Sequence, residues 1–115
     1  MNRLYLSNIL ESISLIEQYL KFKRADDLKK SVLLRDAVCK RIEEIGENIR
    51  KISPKIKKAY PKVDWVAFVE ARNFLTHVYQ MINVQKLWGI IKKDIPKLKR
   101  EIENILKKEV RNGKR

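Results

Sequence analysis

Only three glycines and three prolines punctuate these 115 residues, and so few breakers leave little room for loops or sheets. Between them, apolar side chains recur every three or four positions, the spacing of helices with one buried face. The first such run predicts a helix from about Asn2 to Arg24, with Leu6, Ile9, Leu10, Ile13, Ile16 and Leu20 inside. Asp26-Asp27 offers a cap for a second helix reaching about Ile52 along Val38, Ile42, Ile45, Ile49 and Ile52. Ser53-Pro54 reads as N-cap and first residue of a short basic helix that Pro61 closes. Asp64 caps the next helix, which should loosen near Tyr79. Asn83 then opens the last long element, which Pro96 should kink or split. Gly46 and Gly89 lie alone inside helical patterns, where close helix packing is the expected reason for each. Together these elements predict an all-α chain, an antiparallel up-and-down four-helix bundle with a short extra helix. It forms one domain over residues 1–110, followed by a basic disordered tail at 111–115.

Chemistry is bounded by scarcity. Cys39 is the lone cysteine and His77 the lone histidine, so neither a disulfide framework nor a zinc cluster can form within the chain. No cofactor is expected. Arg3, Glu11 and Glu17 interrupt the apolar N-terminal run, which argues against a signal peptide or membrane span and for a cytoplasmic chain. Lys and Arg number 27 against 14 Asp and Glu, a net charge of +13. Such an excess favours polyanions through counterion release, and nucleic acid is the commonest large one in a cell. A local concentration, Lys51, Lys55, Lys57, Lys58 and Lys62, contains no acid. A heat-adapted, solvated surface would give the same composition.

The segment from Trp65 to Val78 is apolar nearly all round and encloses Glu70, Arg72, Asn73 and His77. Such a helix is normally buried, and buried polar groups need a partner, a ligand or an interface. At about 100° per residue Arg72 falls among Trp65, Phe68, Val69, Leu75, Thr76 and Tyr79, while Glu70, Asn73 and His77 share a neighbouring stripe. Arg72 and His77 then lie about 140° apart. Convergence on one phosphate needs a long arginine reaching round, an unwound turn before His77, or a second protomer; the last two together are favoured. Spacing alone is equally compatible with a packed histidine, a core tyrosine, and an arginine paired with Glu70 or Asp36.

Arg72-Asn73-Phe74-Leu75-Thr76-His77-Val78-Tyr79 resembles the R-x4-H-x-Y signature of the HepT-like toxins, a branch of the HEPN superfamily. Ile45-Gly46-Glu47, Trp65, Leu87-Trp88 and Asp94-Ile95-Pro96-Lys97-Leu98 are similar to that family's pattern as well, so the likeness runs from about Arg35 to Leu106. Glu70-Ala71 and Asn83 depart from it, standing where many members have glycine with an apolar residue, and aspartate. The resemblance implies a HEPN-like bundle that dimerises with its Arg72 and His77 motifs facing across a two-fold axis. It implies a metal-independent endoribonuclease and toxin, neutralised by a cognate nucleotidyltransferase antitoxin that in some cases adenylylates the tyrosine, here Tyr79. It leaves a second role open, a non-catalytic module that binds a nucleotide or a nucleotidyltransferase partner.

The parts suit RNA cleavage, because RNA carries its own nucleophile, the 2′-hydroxyl. An imidazole titrates near pH 6.5, which fits His77 for acid or base work. Arg72 presents a permanent charged fork to phosphate oxygens, with Asn73, Glu70 and Thr76 in support. One histidine per chain means that acid and base together require a homodimer.

Overall fold

The computed structural model describes residues 1–77 and 83–111, and among these every regular element is helical. Helix α1 spans Asn2–Tyr19, α2 Ala25–Lys30, α3 Val32–Lys51, α4 Pro54–Ala59 and α5 Trp65–His77. Helix α6, Val84–Gly89, runs through a π-helical stretch, Ile90–Asp94, into α7, Ile95–Arg111, without a break. Four long rods, α1, α3, α5 and α6 to α7, form an antiparallel bundle, with α2 and α4 as short connecting helices. The predicted fold class holds.

Helix α3 occupies the centre, packed on α1 along one side and α5 along the other. Its buried stripe is Val38, Ile42, Ile45 and Ile49, and Ile52 follows just beyond it. Leu6, Ile9, Ile13 and Ile16 face it from α1, and Leu98, Ile102 and Ile105 of α7 complete the core. Full burial of such a side chain contributes about 1.5–3 kcal/mol, far more than any surface ion pair here. Asn48 brings polar contacts into this region. Asn8 Nδ2 donates to Asn48 Oδ1 at 3.1 Å, while Asn48 Nδ2 donates to the Glu44 carbonyl at 2.8 Å.

Several predicted caps are present. Asp64 Oδ1 accepts from the Ala67 amide at 3.1 Å, Asn83 Oδ1 from Lys86 at 3.1 Å, and Ser53 Oγ from Ile56 at 3.4 Å. Asp27 acts by reaching back to the Arg24 amide at 2.7 Å. Other expectations need correction. The first helix stops at Tyr19 rather than Arg24, and the chain turns through Phe22 at φ 64° with no glycine or proline. The second helix is two, parted at Ser31. There the backbone is extended and Ser31 Oγ caps α3 through the Leu34 amide at 3.0 Å. Arg35 Nη1 holds the break by donating to the carbonyls of Leu28 and Lys29 at 2.8 and 2.6 Å. Pro96 does not split the last element. The proline has no amide to donate and crowds the carbonyl four residues earlier, and the π-helical stretch just before it accommodates both within a continuous rod. Gly89 is not explained by close packing, since a Cβ there would meet nothing within 4 Å. Of the tail, Arg111 still belongs to α7 and residues 112–115 lie outside the described residues.

Candidate active site on α5

Helix α5 is anchored at its start. Asp64 caps it, and the Trp65 indole Nε1 donates to the Tyr60 carbonyl at 3.0 Å. Trp65, Phe68 and Leu75 are buried against the core, Val69 and Ala71 are half-buried, and Val66 is 59% exposed. A helix apolar nearly all round is therefore covered on one side only. Glu70 is exposed too, so in a single chain it needs no partner.

Helices α3 and α5 approach closely at Gly46. A Cβ built there would lie 2.7 Å from the Phe68 carbonyl oxygen and 3.1 Å from the Arg72 Cβ. Backbone of α5 rests directly on α3, which only a residue without a side chain permits. The expected role of Gly46 is thus met, and it sets the base of Arg72 against α3.

Arg72 emerges at the edge of the buried face with 39% of its side chain exposed. Its Nε stands 3.5 Å from Glu47 Oε2, while Glu47 Oε1 accepts from Arg50 Nη2 at 2.6 Å. Hydrogen bonding from Arg50 holds the Glu47 carboxyl below the usual carboxylate range, and the charges of Arg50, Arg72 and Lys51 add to this against partial desolvation. Glu47 stays ionised at neutral pH and holds Arg72 through Nε, one of the five donors of the guanidinium fork. Sequence reasoning considered Glu70 and Asp36 for that pairing and missed Glu47. The available signal was its place beside Gly46, since a carboxylate next to the helix contact is the one that reaches across.

Helix α5 is regular through His77, so the unwound turn expected before His77 is not found. Arg72 and His77 remain about 140° apart around the axis. Around that axis His77 shares a stripe with Val66, Glu70 and Asn73. The side chains of Asn73, Thr76 and His77, and the whole of Tyr79, lie outside the described residues. Cys39 offers no nucleophile: burial pushes its thiol up to about 11, with the charges of Glu43 and Asp36 adding. Among the described residues no three of His, Cys, Asp and Glu come together to hold a metal, and no helix is long and apolar enough to cross a membrane.

Residues 9–105 match the family model described as Ribonuclease HepT-like. The chain belongs to the HepT-like ribonuclease family. It is 33% identical over 103 residues to a Thermococcus cleftensis protein named as a probable ribonuclease HepT, covering 90% of this chain and 94% of that protein. A Methanocaldococcus jannaschii protein whose name proposes an RNase is 35% identical over 99 residues, 86% of this chain and 91% of its own length. Another from that organism, named as a gamma-glutamylcyclotransferase with a proposed RNase, is 44% identical over 104 residues. That match covers 90% of this chain, which spans about half, 47%, of the relative. No solved structure matches.

Proposed function

We propose that the chain is a toxin-type endoribonuclease that cleaves RNA without metal at a site shared by two copies. The observation that carries the proposal is the state of α5: Arg72 is seated by Gly46 and Glu47, while the neighbouring stripe of Val66, Glu70, Asn73 and His77 begins with two exposed residues. A second copy laid on that stripe would cover Val66 and bring one chain's Arg72 toward the other's His77. In the reaction one His77 takes the proton of the 2′-hydroxyl, the oxygen attacks phosphorus, and the other His77 protonates the departing 5′-oxygen. Arg72 balances the extra charge on the phosphoryl oxygens. The products are a 2′,3′-cyclic phosphate and a 5′-hydroxyl. Asn73 and Thr76 would orient the phosphate and Glu70 the histidine. A cognate nucleotidyltransferase would silence the site by adenylylating Tyr79, placing a phosphate within reach of Arg72.

The test is RNA cleavage by the native protein in chelator, with end analysis. His77→Ala and Arg72→Ala should each abolish it while sedimentation still reports a dimer. Glu70 favours one other reading, a non-catalytic module for a nucleotide or partner protein, because a carboxylate on the His77 stripe repels a scissile phosphate. Binding without any cleavage by native protein would select that reading.

A further inference from the structure

The lysines around α4 form a face that the Arg72 site does not use. Residues 51–63 carry Lys51, Lys55, Lys57, Lys58 and Lys62 with no acid among them. That segment is pinned from both sides. Asn2 exchanges two hydrogen bonds with Ser53, each 2.9 Å, and the Tyr60 hydroxyl donates to Glu109 Oε2 at 2.9 Å. Between this segment and α7 lies a groove of about 480 Å³. Tyr60 and Pro61 form its accessible apolar wall over the buried Val63 and Ile105, Asn104 offers an amide, Glu101 adds one carboxylate, and Lys62 and Lys108 also line it. The Lys108 ammonium sits 5.9 Å from the centre of the Tyr60 ring.

The other lysine-rich end of the molecule differs. Around α2, Asp26 and Asp27 are interleaved with the bases, Lys30 is paired with Asp26 at 2.9 Å, and Arg35 spends its guanidinium on backbone carbonyls. The ion pairs of Lys30 with Asp26, Lys40 with Glu44, Arg50 and Arg72 with Glu47, and Lys99 with Glu17 use no lysine of the α4 face, where Lys51 adds its charge to those acting on Glu47. An acid-free run of lysines beside a groove with aromatic and apolar lining suits a polymer that alternates phosphates with flat apolar rings. Single-stranded RNA has that character, since its unstacked bases pack on apolar and aromatic surface while lysines follow its backbone.

We propose that this groove, with Lys58, Lys62 and Lys108, is a second RNA contact, phosphates on the ammonium groups and one base against Tyr60 and Pro61. It rests on RNA being the ligand, as in the reading above. Trp65, fixed to Tyr60, precedes Arg72 by seven residues, about 10 Å along α5, so the contact is separate from the cleavage site but close enough for the same strand.

The experiment measures anisotropy of a labelled, unstructured RNA 20-mer on His77→Ala protein across a salt series. Replacing Lys58, Lys62 and Lys108 by Gln together should make the slope of log affinity against log salt shallower by about 2, roughly 0.7 per lost phosphate contact, and weaken binding at 0.1 M salt about a hundredfold. The same change of charge at Lys21, Lys23 and Lys29 should alter the slope by less than about 0.5. A 4-thiouridine version should cross-link within Tyr60–Val63 or Glu101–Lys108. If both triple variants weaken binding equally, or cross-links fall elsewhere, the groove is wrong and the RNase reading stands. If His77→Ala protein binds no RNA at all, both fall together.

Discussion

Helices α1 and α5 both pack on α3, by different means. The α1 seam is made of Leu6, Ile9, Ile13 and Ile16 against isoleucines, with one amide pair, Asn8 with Asn48, to fix its register. The α5 seam is made by leaving a side chain out: Gly46 lets backbone touch backbone, and a charged pair, Glu47 with Arg72, stands beside the contact. The first arrangement stabilises whatever it joins. The second positions one guanidinium, and it gives up some stability to do so, because glycine inside a helix costs about 0.5–1 kcal/mol relative to alanine.

The largest effect should come from the stable seam. Ile13→Ala leaves a cavity in the fully buried core and should cost about 2–5 kcal/mol in urea unfolding, with cleavage per folded molecule unchanged. Loss of activity beyond loss of fold would show that the two seams are coupled. Next is Gly46→Ala, which forces a methyl onto the Phe68 carbonyl oxygen at 2.7 Å. The gain in helix propensity, up to about 1 kcal/mol, is outweighed by an overpacking cost of about 1–3 kcal/mol, because backbone cannot move aside as a side-chain tip can. Thermal unfolding should report a net loss together with reduced cleavage, while Gly89→Ala, facing open space, should gain about 0.5–1 kcal/mol. Equal responses at the two glycines would erase the distinction drawn for Gly46.

The smallest effect is expected at Glu47. Its carboxyl titrates below the ordinary value of 4.5 in the folded protein, so its contribution is fully present above that value and is lost as pH falls through the lower folded value. Glu47→Gln should therefore lower stability at pH 7 slightly, by no more than about 1 kcal/mol, leave it unchanged at low pH, and so flatten the acid limb of the stability profile below about pH 4.5. Its loss frees Arg72, and since a half-exposed ion pair contributes at most about 1 kcal/mol, cleavage should fall no more than about fivefold. A hundredfold fall would give Glu47 a direct part in the chemistry.

Legibility followed the same division. The α1 and α3 stripes could be read residue by residue because apolar spacing is a local signal, and the caps at Ser53, Asp64 and Asn83 because a short polar side chain before a helix has few other uses. The break at Ser31 was hidden because its stabilising group, Arg35, acts through carbonyls six and seven residues back. The stop after Tyr19 carried no breaker at all. At the site, the placement of Gly46 was legible. The pairing of Arg72 with Glu47 was not, since it joins residues of two helices and depends on how closely those helices approach.

The π-helical stretch Ile90–Asp94 acts as a phase corrector for the last rod. In an unbroken α-helix the eight residues from Leu87 to Ile95 would drift by about 80° around the axis. Both are buried, and the wider turn brings them closer to one line by taking up that excess. Straightening that stretch into ordinary α-helix at its present length would rotate everything downstream by about 100°, carrying Glu109 away from the Tyr60 hydroxyl and Lys108 away from its ring, whereas deleting one residue there would leave the downstream faces in place. The wider turn of that stretch, more than its composition, determines which side of the molecule the C-terminal lysines occupy.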